Sequence, residues 1–458
     1  MPPHKTKLGI RRYLLAASKS DIERFDLIFE DAMKLHEILA VSYKEYAAEF
    51  KDPLRLITAT IDPPRELKNK FKFQIHLSER AQKALLEIAE NTISSNKLKF
   101  SISPGELYEC LKYSIYLYLA KYQPEELNGK SYTKILNLAL RKHRESCKEI
   151  TYYFPTYFPS IEKTHHIGII SVIPKQSLDE KIQNTDIHKF YTETTTRFVD
   201  EFNCYVSIPI GKSSSNISEK RALSVSNLVA GIFELFLFSY KTSNYNFHIG
   251  ESLKPTNKSF HVMQVNTDRN YDAKVQLKHY NVGNFFDNLE NDFNSHLGNV
   301  LSKCIELSCS PEHKERLVDR LIDAICWFGD ARKDRNIHSK IVKIVTALER
   351  LSSFKSEKDT SQISNNFAKR ISSLISLYHG EFDIWQSRSK KLYALRSDLV
   401  HGSHSLYRSY DTNLDFSALE LCTYAIFSAC VQFNKLGFEL ENYENDLKSL
   451  YDNLSNPN

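Results

Sequence analysis

The period of the hydrophobic residues changes once along this chain, near residue 291, and that change constrains the fold more than any other feature. Beyond it, apolar residues recur every three to four positions: Leu317, Leu321, Ile325 and Phe328; then Ile337, Ile341, Ile344, Val345, Leu348 and Leu351; then Phe367, Ile371, Leu374 and Tyr378. A fourth stripe follows at Leu392, Leu395 and Leu399, and a fifth helical run extends from about Phe416 to Phe438. Such spacing puts each set on one face of an α-helix. Five amphipathic helices in succession, joined by short polar links, close most simply as a bundle. The polar link from Phe354 to Ser361 is read as the mobile connection within it.

Before residue 291 the pattern is mixed. The first 150 or so residues are mostly helical, with a capping signature at Ser20 and Glu23, helix starts near Ser78, Ser103-Pro104 and Ser131, and short extended stretches at Leu56 to Ile61 and Phe71 to Leu77. From about 151 to 290, strand-like runs take over at Ile167 to Ile173, Tyr205 to Ile210, Phe260 to Val265 and Lys274 to His279. One helix, Glu219 to Tyr240, interrupts them; it is apolar on nearly every face, which predicts burial against the strands. The expected architecture is mainly α, with an α+β region over 1–290, divisible near 150, and a helical bundle over 291–458.

Composition narrows the function classes. The net charge of +5, spread over 26% charged residues in 458, permits a nucleic-acid partner but lacks the dense Lys/Arg runs of a nucleic-acid coat or a membrane-surface protein. The eight cysteines include no CxxC pair, and several lie in apolar helical stretches where Cys behaves as a small hydrophobe, which suggests a reducing compartment. Cys304, Cys309 and His313 fit no common zinc spacing, and His165-His166 precede a buried-looking strand without forming a ligand motif with carboxylate or Cys companions, so no metal or other cofactor is expected. The apolar patch at Leu14 to Ala17 is too short for a signal-peptide core, and Leu228 to Tyr240 falls short of the ~20 residues that span a bilayer. The chain is therefore expected to be cytoplasmic, with no membrane partner.

The sharpest chemical signal is Arg396-Ser-Asp-Leu-Val-His401, closed by Gly402. It sets a fixed cation and a titratable imidazole five positions apart at the end of a basic helix that also carries Arg388, Lys390 and Lys391. An Arg followed four to six residues later by His arises by chance roughly twice in a chain of this composition, and Arg332 with His338 is a decoy of that kind. Context separates the two. Gly402 is the residue type that most readily ends a helix in a left-handed cap, and there the helix dipole favours a protonated imidazole. Residues five apart on an ideal helix differ by roughly 140° in direction, so a joint site needs either a loosened helix end or a second copy of the helix across a two-fold axis. Glu349 lies one step off its helix's apolar stripe and could bond the Arg or the His, or simply be solvated.

Three runs, RLIDAICWF from Arg320, IVKIVTALERL from Ile341 and KKLYALRSDLVHG from Lys390, occur in an order that resembles Apea-like members of the HEPN superfamily of helical-bundle nucleases. The resemblance spans roughly the last 160 residues. It implies a HEPN-like bundle that assembles as a homodimer, with a metal-independent endoribonuclease centre in which Arg396 and His401 are catalytic. Ser397 and Asp398 stand where such motifs carry polar residues, most typically Asn after the Arg, and join Glu349 as supporting candidates. RNA is the implied substrate, cut by attack of its own 2′-hydroxyl. The implied role is a toxin-like or anti-phage defence effector whose N-terminal region senses a protein or ligand trigger. The competing expectation is a non-catalytic HEPN-like module that dimerises and binds RNA or a nucleotide. No other site emerges: Gly211-Lys212-Ser213 is read as a loop after a strand, and the aromatic run Tyr152 to Phe158 as a packing seam in preference to a surface that stacks bases or grips a peptide.

Overall fold

A computed structural model describes residues 17–42, 59–63, 74–122, 127–159, 161–182, 202–241, 247, 249, 258–265, 271–277, 284–310, 315–355, 357, 362–403 and 414–455. These residues form fourteen helices and eight strands, a mainly α protein with a small β component. They divide into two compact units, residues 1–149 with 212–218 and residues 150–211 with 219–458.

The first unit contains α1 (Lys19–Ser42), a small antiparallel pair β1 (Ala59–Ile61) and β2 (Ile75–Leu77), then α2 (Glu79–Ser95), α3 (Pro104–Tyr122) and α4 (Gly129–Ser146). Its core gathers Phe25, Ile28, Leu85, Ile88, Leu111, Ile115, Tyr132 and Ile135, with Phe25 stacked on Tyr132 at 4.8 Å between ring centres. Helix starts follow local chemistry. Ser78 caps α2 by accepting from the Ala81 N–H, and Asn128, not Ser131, caps α4. The cap of α1 lies two residues before the expected one: Ser18 and Asp21 bond reciprocally, Asp21 N–H to Ser18 Oγ at 3.1 Å and Ser18 N–H to Asp21 Oδ2 at 3.2 Å. Residues 56–58 and 71–73 of the expected strands lie outside the described residues.

In the second unit β3 (Lys148–Thr156), β4 (His165–Ile167), β5 (Ile170–Pro174) and β6 (Cys204–Ser213) form one sheet in the order β3-β6-β5-β4. The expected single run Ile167 to Ile173 is instead a tight antiparallel hairpin. Gly168, at φ +61°, turns the chain there and pairs Ile167 with Ile170. A short helix, α5 (Lys175–Ile182), follows β5, and α6 (Ser215–Ser239) follows β6. A separate antiparallel pair joins β7 (Lys258–Val265) to β8 (Tyr271–Leu277); His279 lies outside the described residues.

Helix α6 is long and apolar enough to cross a membrane by length and composition, yet 72% of its apolar window is buried inside the unit. Its packing explains the burial. Leu228, Val229, Ile232, Phe233 and Phe236 enter the same core as Leu289 of α7 (Phe285–Phe293), Leu301 of α8 (His296–Cys309) and the helices that follow. The period change near 291 thus falls inside the second unit, because α6 and α7 supply one side of the bundle's core.

That bundle consists of α9 (Leu317–Lys333), α10 (Ile337–Ser352), α11 (Ile363–Ser376), α12 (Phe382–His401), α13 (Ala418–Leu436) and α14 (Glu444–Ser455). The predicted stripes are its core: Leu321, Ile325, Phe328, Ile344, Val345, Leu348, Phe367, Ile371, Leu374 and Leu392 are all buried. Full burial of each such side chain contributes roughly 1.5–3 kcal/mol before entropy is counted. The stripe ends differ, since Ile337 and Tyr378 are exposed at helix termini. Helix α14, which the sequence reading did not include, packs on α11 and buries Leu447 and Tyr451. Of the link 354–361, residues 356 and 358–361 lie outside the described residues; Glu357 pairs with Arg370.

Candidate active site

Helix α12 owes its continuity to sequence: twenty residues without Gly or Pro, Asp383 in the first turn and His401 in the last. Trp385, Ser389 and Leu392 anchor one face in the core, and the Trp385 indole N–H donates to the His379 carbonyl at 2.7 Å. Gly402, at φ +80°, supplies the left-handed cap. The basic residues around the anchor are engaged to different degrees. Arg388 lies over the Trp385 and Phe416 rings, Lys391 pairs with Asp415 at 3.2 Å, and Lys390 is exposed.

Arg396 faces α10. Its Nη2 stands 3.3 Å from Glu349 Oε2, and both side chains are 23% exposed. Tyr393, one turn earlier on α12, bonds to Glu349 through its side chain and sets its ring 5.9 Å from the Arg396 guanidinium carbon. Burial pushes the Glu349 carboxyl above its ordinary value, against the pull of Arg396 and of the Tyr393 hydrogen bond. Burial likewise raises the Tyr393 hydroxyl, helped by the charge of Glu349. The Arg396 Nε–H is buried and has no hydrogen-bond acceptor among the described residues. The guanidinium is therefore positioned by one partner and keeps unused donor capacity.

His401 occupies the last turn and is exposed. Because the helix runs unbroken through both residues, Arg396 and His401 are offset by about 7.5 Å along the axis and roughly 140° around it. The single chain thus unites Arg396 with Glu349 and leaves His401 aimed elsewhere. Ser397 is half-buried and Asp398 exposed; neither bonds to Arg396 or His401 among the described residues. Tyr393 was absent from the sequence candidates, although its i−3 spacing from Arg396 places it on the same helix face.

Other candidates resolve into structural roles or new company. Arg332 pairs with the fully buried Glu234 at 3.3 Å and covers the Phe238 ring, while His338 is buried in the first turn of α10. The decoy pair is thus used for folding. Gly211-Lys212-Ser213 ends strand β6 and is not a loop; helix α6 begins at Ser215, and a Cβ at Gly211 would meet the Ser310 hydroxyl at 2.6 Å. The aromatic run lies in and just after β3: Phe158 packs against Phe247, Phe285 and Phe286, and Tyr153 is exposed. Cys304 and Cys309 are buried free thiols, and His313 lies outside the described residues. His165 is brought by the fold beside Asp287 and Glu290, more than 120 residues away in sequence. Comparison with protein-family models, with curated proteins and with solved structures finds no match in any of the three.

Proposed function

We propose that this protein is a metal-independent endoribonuclease in which Arg396 and His401, supplied by two copies of α12, cleave RNA through attack of the 2′-hydroxyl on the adjacent phosphate. One observation carries the reading: a basic helix ends in an exposed imidazole and bears, five residues earlier, a guanidinium held by Glu349 on a side chain that stays 23% exposed. A guanidinium so held presents donors to non-bridging phosphate oxygens, where charge accumulates in the pentacovalent state. An imidazole at a helix C-terminus takes the 2′-hydroxyl proton as base or gives one to the leaving 5′-oxygen as acid. The products are a 2′,3′-cyclic phosphate and a 5′-hydroxyl. DNA, lacking the internal nucleophile, survives.

A second reading has its own support, since within one chain the ion pair to Glu349 engages Arg396 while the continuous helix points His401 away. That geometry suits a non-catalytic module that binds RNA or a nucleotide. The test separates them. Labelled RNA is incubated in EDTA with the wild type, with Arg396→Ala, with His401→Ala, and with the two variants unfolded and refolded together. A composite site across a two-fold axis predicts that each variant alone is inactive and that the mixture recovers about a quarter of wild-type activity, because half the dimers are mixed and each has one intact site. RNA that is retained but never cut by the wild type establishes the binding module; cleavage by either variant at the wild-type rate removes the assignment of that residue.

A further inference from the structure

The chain brings together, far from the motif in sequence, an imidazole and two carboxylates that no sequence spacing announced. His165 of β4 and Asp287 and Glu290 of α7 place one ligand atom each within 4.8 Å of one another. Each position has a local cause. His165 alternates inward on the strand while His166 faces out and bonds Ser171 Oγ at 2.9 Å, and the His165 ring is fixed by stacking on Phe286 at 5.2 Å. Asp287 and Glu290 are three apart on one helix and so share a face.

We infer that His165, Asp287 and Glu290 form a binding site for one divalent transition-metal ion, Zn2+ above others, which pins edge strand β4 to helix α7. One ligand pair already has the spacing of a loaded site, and all three ligand atoms lie within 4.8 Å of one another. Two ligand atoms about 2.1 Å from one zinc ion stand roughly 3.0–3.5 Å apart, and His165 Nδ1 lies 3.0 Å from Glu290 Oε2. The other oxygen of Glu290 accepts the backbone N–H of His166 at 2.6 Å. That bond orients the carboxylate with Oε2 toward the imidazole, as an outer-shell donor does in a built metal site. One nitrogen and two carboxylate oxygens select zinc or manganese over calcium and magnesium, which take oxygen alone.

Lys163 sharpens the inference. Its ammonium sits 2.7 Å from Asp287 Oδ1 on a side chain that is 64% exposed. A monovalent cation on a flexible arm thus holds the negative side of the cluster, and a divalent ion must displace it. The lysine is a competitor built into the surface.

The full-length protein, stripped with EDTA and desalted, is titrated with Co2+ as a spectroscopic stand-in for zinc, then with Zn2+. The expected result is saturable visible absorbance at one ion per chain, displaced by Zn2+, with a rise in melting temperature on Zn2+ addition. Asp287→Asn, a change at a half-exposed position, and His165→Ala lose the signal, whereas Lys163→Ala tightens binding several-fold. Far-UV circular dichroism of Asp287→Asn matching the wild type shows that its loss is not unfolding. No saturable uptake at millimolar Co2+, uptake unchanged in both ligand variants, or weaker binding in Lys163→Ala overturns the proposal. The readout is binding, not RNA cleavage, so this site and the ribonuclease reading stand or fall separately.

Discussion

Helices α6 and α9 cross with almost no side chains between them, and that crossing yields a prediction whose sign is diagnostic. A Cβ built on Gly329 would stand 2.8 Å from the Gly231 Cα and 3.3 Å from its nitrogen; one built on Gly231 would stand 2.6 Å from the Ile325 carbonyl oxygen. Carbon atoms in contact prefer about 3.5–4.0 Å, so Gly329→Ala forces the two backbones apart by roughly 1 Å. Backbone cannot rotate out of the way as a side chain can, which places the cost at the upper end of the 1–3 kcal/mol typical of overpacking, about 3 kcal/mol. Opposing it, Ala in a helix interior is favoured over Gly by about 1 kcal/mol. The net expectation is a loss of about 2 kcal/mol. For a unit of this size that lowers the melting temperature by roughly 3–4 °C, taking about 2 cal/mol/K of unfolding entropy per residue.

The assay is thermal and denaturant unfolding of Gly329→Ala, Gly231→Ala, the double variant and Gly105→Ala. Gly105 is the control: it lies in the first turn of α3 with nothing within 4 Å of a built Cβ, so alanine there stabilises by up to about 1 kcal/mol. The two crossing variants are expected to be sub-additive, because the first to separate the helices makes room for the second. Gly329→Ala as stable as the wild type or more so, with Gly105→Ala behaving as expected, refutes the close crossing. Strict additivity of the pair refutes the claim that both glycines serve one contact.

Two further stability predictions rest on carboxylates. Glu106 accepts from the Ser103 backbone and hydroxyl, from Ser214 Oγ and from the Asn216 N–H. Burial would raise it, but those bonds prevail and hold its carboxyl below the ordinary value. Its contribution is then present above the unfolded-state carboxylate pKa and lost as pH falls through the folded value. Glu106→Gln should cost about 1–3 kcal/mol at neutral pH, with the gap to wild type closing in acid; a gap unchanged down to about pH 3 contradicts this. Arg332→Ala should cost about 3–5 kcal/mol by leaving Glu234 buried without its cation. Burial holds the Glu234 carboxyl above its usual value and loss of Arg332 raises it further, so the loss is full only above the variant's folded-state pKa and fades as pH falls through the wild-type one; a loss that grows in acid contradicts it.

The sequence made the bundle legible because its signal is periodic and local. Stripes such as Leu317 to Phe328 need only helical spacing to be read, and they are buried as expected. What escaped depends on contacts that are not local. Gly231 and Gly329 are ninety-eight residues apart, and each alone looks like an unfavourable helix residue. His165 and Glu290 are separated by 125 residues, so the pairing had no spacing to reveal it. The hairpin at Gly168 was hidden for another reason: isoleucines on both sides of the glycine read as one continuous strand, and only the left-handed φ exposes the turn. Glu349 was half legible. Its place one step off the stripe marked it as able to reach a neighbour, but that the neighbour is Arg396 depends on how α10 and α12 pack.

That packing bears on how a joint site would have to form. If α12 had frayed at its end, His401 could have swung back toward Arg396 within one chain. It does not fray: the helix persists through His401 to the left-handed Gly402, so the angular offset between the two side chains is fixed by backbone geometry. Glu349 and Tyr393 hold the other member on the opposite side, and an ion pair less than a quarter exposed resists a large swing of the guanidinium toward the helix end. Reorienting either side chain alone leaves the other out of reach. A phosphate bridging both groups therefore requires an Arg396 and a His401 from different helices, and the only other source of an identical helix is a second chain. The ribonuclease reading and the dimer are for this reason one hypothesis: a strictly monomeric protein that cuts RNA would need a different pair of residues.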